Sequence, residues 1–207
     1  MGLYDRYILP RLITVAMRDR PMARERQAVV PHARGVVLEV GIGSGENLPF
    51  YDATQVKHLH AIEPSPALLE QSREWASQLD SISTSVVQGV AENLPYDNNS
   101  MDSIVLTYTL CSLPLLQQSM DEMSRVLKPS GRIYFSEHGK APQKRIARWQ
   151  KRLTPLWSLI AGGCKLNLDI PHIITAAGYR IEHLDQHYLP GPRVLRFNHR
   201  GIAALRR

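Results

Sequence analysis

Short apolar runs alternate with helical patterns along most of this chain, from about residue 36 to its end. Segments with the length and composition of strands lie at residues 36–40, 58–63, 84–88, 103–107, 132–137, 179–185 and 194–205. Helical apolar spacing, with proline near the start or glycine at the end, predicts helices over residues 66–79, 114–127 and 169–177. The alternation predicts an α/β fold, with the last two strands forming an antiparallel hairpin at one edge of the sheet.

The first 35 residues have a different pattern. One helical face would carry Tyr4, Ile8, Leu12 and Ala16, while Pro10 interrupts the run and Pro21 begins another helix. Because these two short helices precede the sheet, we interpret them as a cap over the mouth of a site. A helix pair that covers the core, or an apolar face that touches a membrane surface, would produce the same pattern.

The bulk properties are those of one domain, residues 1–207, of ordinary globular composition. The net charge is +6, and we read the basic residues near 18–26, 140–152 and 193–207 as solvated helix faces and a charged tail. Cys111 and Cys164 have no CxxC spacing, so the sequence predicts no metal site. Neither a secretory signal nor an apolar run long enough to span a bilayer is present, which favours a cytoplasmic protein with reduced thiols.

A glycine loop follows the first predicted strand. Gly41, Gly43 and Gly45 alternate with other residues, and a helix is expected to begin near Asn47. In open α/β sheets the ligand crevice lies beyond the carboxyl ends of the strands, so this loop should border a ligand. Glu46 stands where a dinucleotide loop needs its third glycine, and no Gly-Lys-Ser/Thr follows. The carboxylates of Glu39 and Glu46 favour a positively charged ligand, and Glu39 lies where it could contact an ammonium group of that ligand.

The pattern Glu39-x-Gly-x-Gly-x-Gly resembles the first motif of class I methyltransferases, which use S-adenosylmethionine (SAM). Three further segments, at residues 60–65, 89–97 with 100–102, and 125–132, resemble later motifs of that family in the same order. The resemblance implies a Rossmann-like doubly wound sheet of seven strands, mostly parallel, and SAM as the cofactor, with Glu63 on its ribose. The cofactor-binding residues implied are Glu39, Gly41, Gly43, Gly45, Asn47, Glu63, Pro64, Ala91, Glu92, Thr107 and Tyr108.

The methyl acceptor must be inferred from the residues after the fourth and fifth strands. Leu110-Cys111-Ser112, Glu137-His138, Trp149-Gln150, Pro155-x-Trp157 and Gly163-Cys164-x-Leu166 are similar, in that order, to the thiol S-methyltransferases of the endoplasmic reticulum. This similarity implies S-methylation of a thiol, with substrate contacts from Cys111, Ser112, His138, Trp149 and Trp157. His138 would act as a base or a positioning residue, since its pKa lies near neutral pH and a thiol needs only a weak base.

Two other functions fit the sequence. N-methylation of a phospholipid head group would use the apolar face of the N-terminal helices and the basic surface, and a non-catalytic SAM-binding module would share every cofactor motif. The thiol family carries a long apolar anchor at its N-terminus, whereas this chain has Asp5, Arg6 and Arg11 there. The motifs of base-modifying methyltransferases are absent after the fourth strand, so we expect no nucleic-acid partner. A small-molecule substrate and peripheral membrane contact are the expected partners.

Overall fold

The computed structural model describes residues 3–206, apart from the side chains of residues 5 and 6, which were among the N-terminal charges noted above. One seven-stranded sheet has the order β3-β2-β1-β4-β5-β7-β6, with β7 and β6 antiparallel at the edge beyond β5. This confirms the predicted sheet and its edge hairpin. The strands are β1 (Gly35–Val40), β2 (Val56–Glu63), β3 (Thr84–Gln88), β4 (Met101–Thr107), β5 (Leu127–His138), β6 (Tyr179–Tyr188) and β7 (Phe197–Leu205).

The centre of the sheet is β1, which pairs in parallel with β2 on one side and β4 on the other. Its side chains alternate between two cores, with Leu38 and Val40 in one and Val37 in the other. A central parallel strand is buried on both faces, which explains the continuous apolar run in the sequence. The carboxyl ends of β1, β2, β4 and β5 therefore meet at one edge, where their terminal residues face the same space.

Six α-helices flank the sheet within the described residues. They are α1 (Leu9–Met17), α2 (Arg20–Val29), α3 (Pro66–Ala76), α4 (Leu116–Val126), α5 (Lys144–Ile160) and α6 (Ile170–Ala176). The sequence did not predict α5, whose pattern is interrupted by Pro155. None of the helices that the structure describes has both the length and the apolar character needed to cross a bilayer.

Two local predictions were wrong. The glycine loop does not lead into an α-helix, because only a short 3-10 turn, Leu48–Phe50, precedes β2 at Val56. Pro10 does not interrupt the first helix either. It occupies the first turn of α1, where its missing N–H costs little, and a π-helical turn (Tyr4–Ile8) precedes it directly.

The second N-terminal helix, α2, is anchored in the body of the protein. Glu25 is buried and accepts hydrogen bonds from Asn198 Nδ2 at 2.9 Å and from His187 Nε2 at 3.0 Å. Arg26 is only 3% exposed. The basic stretch at residues 18–26 is therefore not simply a solvated face, since Arg26 is buried in it and donates to the Met17 carbonyl, while β6 and β7 supply the partners of Glu25.

Candidate functional site

A large cavity of about 1920 Å³ opens at the carboxyl ends of the parallel strands. It is bordered by the glycine loop, the ends of β2, β4 and β5, Tyr4 and Tyr7 with helix α1, and the C-terminal part of α5. Pockets for one small molecule usually measure about 300–1,000 Å³. This cavity therefore has room for a cofactor and a second molecule side by side.

The three loop glycines have different surroundings, although each has a positive φ, of 72° at Gly41, 59° at Gly43 and 93° at Gly45. A Cβ on Gly41 would lie 2.8 Å from Thr109 Cγ2, whereas one on Gly43 would meet no protein atom within 4 Å. Gly45 faces Leu48 and does not border the cavity. Gly43 is thus the position at which a ligand can approach the backbone directly.

Glu63, at the end of β2, holds the glycine loop. Its Oε2 accepts from the Gly43 N–H at 3.0 Å and its Oε1 accepts from the Ser65 N–H at 2.9 Å. Burial raises the pKa of this carboxyl, and the two backbone hydrogen bonds oppose that rise. Each carboxylate oxygen has a second acceptor site. Glu63 and the adjacent Pro64 border the cavity, so Glu63 can also accept hydroxyl donors of a ligand.

Glu39 lies beneath the loop and does not border the cavity. Its Oε1 accepts from Asn47 Nδ2 at 2.9 Å and its Oε2 accepts from the Tyr51 hydroxyl at 2.7 Å. Complete burial raises the pKa of Glu39 to about 7 despite these two hydrogen bonds. The same Nδ2 atom of Asn47 also donates to Thr107 Oγ1 at 2.9 Å. Glu39 therefore orients Asn47, which does border the cavity, instead of facing the ligand itself.

Tyr108 and Arg26 form a polar wall with unused hydrogen-bonding capacity. Tyr108 has a φ of 59°, a conformation that a bulky residue rarely adopts, and its hydroxyl, near Ser136, makes no hydrogen bond of good geometry. The Arg26 guanidinium lies 5.6 Å from the Tyr108 ring centre, donates Nη1 to the Met17 carbonyl at 2.7 Å, and leaves Nε without a partner. Desolvation lowers the pKa of Arg26 and raises that of Tyr108.

The sequence did not predict Arg26 as a site residue, because it lies in a run of charged residues. A signal was nevertheless present. The buried positions of α2 recur at helical spacing, at Met22, Glu25, Arg26 and Val29. Two of these are charged, and charged residues at the buried positions of a helix indicate either ion pairs or a polar site.

The loop after β3 closes the side of the cavity next to Glu63. Ala91 is buried there, and Glu92 accepts from the Leu115 N–H at 3.3 Å through Oε1 and from Gln118 Nε2 at 3.1 Å through its carbonyl. Both residues, which the resemblance implies to be cofactor-binding, border the cavity. The Glu92 side chain is thus partly engaged in holding the loop against the start of α4.

At the far end of the cavity, three residues that are distant in sequence come together. His138 Nε2 lies 3.0 Å from Cys164 Sγ, and Trp157 Nε1 donates to the same sulfur at 3.3 Å. Cys111 is close to both, since the ligand atoms of Cys111, His138 and Cys164 all lie within 4.8 Å of one another. The neighbouring thiol of Cys111 and then His138 lower the pKa of Cys164 to about 4. Contact with Cys164 outweighs burial and raises the pKa of His138.

Four of the five residues predicted to contact substrate border the cavity, namely Cys111, Ser112, His138 and Trp157. Trp149 does not. It lies on the outer side of α5, is 50% exposed, and packs with Arg152, whose guanidinium carbon is 5.6 Å from the ring centre. Helical geometry explains the difference, since positions eight apart point in directions about 80° different.

The residues fit the SAM expected from the resemblance. Gly43 leaves open space beside the backbone, and Arg26 and Tyr108, each with a polar atom that has no protein partner, border the cavity. Arg26 suits the carboxylate of the amino-acid part, and Glu63 suits the ribose hydroxyls. SAM has both groups, and the volume beyond Tyr108 would remain for an acceptor.

Comparison with known proteins also indicates a methyltransferase. Residues 38–135 match a family model described as a methyltransferase domain. The thiol S-methyltransferase TMT1B of Rattus norvegicus is 34% identical over 138 residues, which are 64% of this chain and 55% of that protein. The thiol S-methyltransferase TMT1A of Homo sapiens is 29% identical over 160 residues, 74% of this chain and 65% of that protein. The chain therefore spans less than two thirds of the length of these relatives.

Solved structures share the fold over the whole chain. A methyltransferase in complex with the Haloferax volcanii Trm112 activator superposes with a TM-score of 0.71 at 16% identity, covering 100% of this chain and 98% of that one. At this identity the similarity concerns the fold alone. The superposition includes α1, α2 and the β6–β7 edge, which lie outside the matched family model.

Proposed function

We infer that this chain is a class I SAM-dependent methyltransferase, and we propose that it methylates the sulfur of a small or lipophilic thiol. Two of its relatives are thiol S-methyltransferases. The observation that carries the proposal is the group of thiol and imidazole side chains at the acceptor end of the cavity, with His138 Nε2 3.0 Å from Cys164 Sγ. Such a group can stabilise and orient a sulfur nucleophile.

The cofactor end of the cavity would be held by residues already described. Glu63 would bind the ribose hydroxyls, the Gly43 backbone would allow close approach, and Arg26 would pair with the carboxylate. SAM supplies a methyl group on a positively charged sulfur, which is an excellent leaving group. The protein therefore has mainly to align the acceptor with that methyl group and to exclude water.

The acceptor end combines an apolar wall with the sulfur–imidazole group. Leu9, Ile13, Leu189 and Leu195 border the cavity, and Trp157 closes it beside Cys164. A free thiol has a pKa near 8.5, so only a small fraction is ionised at neutral pH. Stabilising the thiolate next to His138 would raise that fraction, and the apolar wall would favour a thiol with a hydrocarbon body.

The experiment supplies methyl-labelled SAM with an alkyl thiol, with the alcohol of the same carbon skeleton, and with phosphatidylethanolamine vesicles. We expect label in the thioether and none in the ether. Glu63→Ala serves as the negative control, and His172→Gln, at an exposed position on α6, should retain full activity. Label only in lipid, or no label in any acceptor, would overturn the thiol proposal.

A second candidate function, N-methylation of a phospholipid head group, is supported by the exposed apolar and basic surface around the cavity mouth. Among the described residues, ten of the twelve exposed large apolar side chains lie in residues 3–15 and 149–160, on both sides of the cavity mouth. The first half of α5 also carries five basic residues, Lys144, Arg145, Arg148, Lys151 and Arg152, and the helix has no acidic residue. A basic helix with an exposed apolar face suits the surface of an anionic bilayer.

We further propose that the protein is cytoplasmic and touches membranes peripherally through this surface, which we call the α1–α5 face (the described exposed side chains of residues 3–15 and 144–160). Apolar side chains interrupt its basic ones, so we expect no nucleic-acid partner. Membrane contact is compatible with either acceptor, because a lipophilic thiol would also reach the cavity from a bilayer. The vesicle arm of the labelling experiment separates the two.

A further inference from the structure

We propose that Cys111, His138 and Cys164 bind a Zn²⁺ ion whose fourth coordination position opens into the cavity. We further infer that this fourth position takes the acceptor thiol, a step that rests on the thiol S-methylation proposed above. The spacing of the two cysteines in the sequence gave no indication of a metal site. The fold brings them together with His138 from three separate segments.

The distances between the three side chains suit a zinc ion. Zinc binds cysteine sulfur at about 2.3 Å and histidine nitrogen at about 2.0–2.1 Å, which places tetrahedral ligand atoms about 3.5–3.8 Å apart. His138 Nε2 and Cys164 Sγ are 3.0 Å apart, and all three ligand atoms lie within 4.8 Å of one another. Side-chain movements that change these separations by up to about 1 Å would therefore admit the ion.

The backbone around the ligands is firmly held. Cys111 lies in the turn Leu110–Ser112, and the N–H groups of Thr109 and Leu110 donate to buried Glu137 Oε1 at 2.7 and 3.1 Å. The Lys165 N–H donates to the Cys111 carbonyl at 2.9 Å, which ties the two cysteine segments together. Metal sites depend on such fixed ligand positions, because each ligand must be ordered before the ion gains from it.

Helix α5 adds a further contact to the cluster. Gln150 is buried, accepts from the Ala141 N–H at 2.9 Å and donates to the Gly139 carbonyl at 2.9 Å, which fastens α5 to the end of β5. The same helix carries Trp157, whose Nε1 donates to Cys164 Sγ at 3.3 Å. An N–H donor on a sulfur ligand is the kind of outer contact that orients a metal ligand.

The chemistry of the donor set indicates zinc with an open position. Two thiolates and one imidazole favour a soft or borderline ion, and catalytic zinc sites keep three protein ligands and leave the fourth position for water or substrate. All three side chains border the cavity that also contains Gly43 and Tyr108. A molecule in the fourth position would thus lie in the same space as the methyl donor.

This arrangement gives the site a means of activating the acceptor. A thiol that binds the ion loses its proton to solvent, because metal coordination deprotonates a thiol outright. The two cysteine thiolates balance the charge of the ion, so the bound sulfur retains its electron density. That sulfur attacks the methyl carbon as the carbon–sulfonium bond breaks, and the bond electrons return to the cofactor sulfur. The neutral thioether is a weaker ligand and leaves. His138 is then a metal ligand and positioning residue, not a base.

The first test measures the metal content of protein produced with zinc in the medium. We expect about one Zn²⁺ per chain in the unaltered protein and in His172→Gln. The variants Cys111→Ser, Cys164→Ser and His138→Gln should contain at most about one tenth of that amount. Substoichiometric zinc in the unaltered protein, or equal zinc in all the variants, would overturn the proposal. Circular dichroism identifies any variant that fails to fold.

A second measurement uses the unaltered protein and so does not depend on variants. After replacement of the ion by Co²⁺, two thiolate ligands should produce a sulfur-to-cobalt charge-transfer band, and an alkyl thiol should alter the visible cobalt spectrum while its alcohol analogue does not. A cobalt spectrum without the charge-transfer band, or a disulfide between the two cysteines in freshly reduced protein, would overturn the site.

The two proposals can fail separately. If the protein binds zinc stoichiometrically but methylates thiols at the full rate after a chelator has removed the ion, the role of the fourth position is wrong while the metal site and thiol S-methylation both stand. If zinc is bound stoichiometrically but no thiol is methylated, the metal site stands, and both the proposed acceptor and the role of the fourth position are wrong.

Discussion

Glu63 and Gly43 are joined by a hydrogen bond of 3.0 Å, from the glycine N–H to the carboxylate Oε2, which links the end of β2 to the loop after β1. One side chain therefore both shapes the glycine loop and presents acceptor sites to the cavity. Loss of this carboxylate should disturb the cofactor site twice, through the loop and through the ribose contact.

We expect Glu63→Ala to weaken SAM binding by about 1–3 kcal/mol, the usual cost of leaving buried polar groups without a partner. Glu63→Gln keeps one acceptor oxygen and should lose less. Isothermal titration calorimetry with SAM measures both, and Asp80→Asn, at an exposed position after α3, is the matched control. Affinity unchanged in Glu63→Ala would mean that the ribose site lies elsewhere.

Gly43 and Gly41 should respond differently to the same substitution. Gly43→Ala places a methyl group in open space, so it should cost only the strain of a positive φ, about 1–2 kcal/mol of folding stability, while obstructing SAM. Gly41→Ala adds a contact of 2.8 Å with Thr109 Cγ2 to the same strain and should destabilise the fold more. Thermal unfolding with and without SAM separates the effects. A SAM-induced stabilisation of Gly43→Ala equal to that of the unaltered protein would contradict this assignment.

Much of this site could be predicted from the sequence, because motif residues at the ends of parallel strands must meet at one edge of the sheet. Gly43, Glu63 and His138 are of this kind. Glu39 was placed on the ligand because the sequence cannot show that it lies buried beneath the loop, where Asn47 and Tyr51 donate to it. The α-helix expected near Asn47 is absent for a similar reason, because the short connection to β2 overrides the local helical pattern.

The Cys111–His138–Cys164 cluster could not be predicted by the same reasoning. Its members come from a turn after β4, the end of β5 and the loop after α5, and no short motif records that these segments touch. Arg26 was also overlooked, because its burial depends on how α2 packs against the sheet. Long-range packing thus determined the part of the site most relevant to the acceptor.

Glu39 should make folding stability depend on pH. Its pKa in the folded protein is raised to about 7 from an ordinary 4.5, mainly by burial. As pH rises from about 4.5 to 7, the unfolded chain ionises this carboxyl while the folded chain keeps the proton, so the unfolding free energy falls, by about 3 kcal/mol in total. The contribution is fully present below pH 4.5 and lost above pH 7.

Urea unfolding of the unaltered protein and of Glu39→Gln at several pH values from 4.5 to 8 measures this contribution of Glu39 to the unfolding free energy. The amide cannot ionise, so the difference in unfolding free energy between the two proteins should change by about 3 kcal/mol across that range in favour of Glu39→Gln at high pH. Other titrating groups cancel in the difference. Parallel curves would show that Glu39 ionises alike in the folded and unfolded chains.

The α1–α5 face should bind anionic vesicles through two separable contributions. Leu156 and Leu159 are 65% and 75% exposed, so replacing both by serine should remove apolar contact with the bilayer with little effect on folding. Replacing Arg148 and Arg152 by glutamine should cost about 1 kcal/mol of binding per residue at low salt, and less at high salt, because that contribution is electrostatic.

Sedimentation with vesicles containing phosphatidylserine, compared with neutral vesicles, distinguishes the two contributions. The serine pair should weaken binding to both kinds of vesicle, and the glutamine pair only to the anionic kind. Leu115→Ser and Arg180→Gln, exposed residues away from this face, are the matched controls. Because the same face surrounds the mouth of the cavity, its loss should slow methylation of a lipophilic thiol added in vesicles but not of a water-soluble one. Equal slowing of both would place the effect inside the cavity and contradict a role at the bilayer.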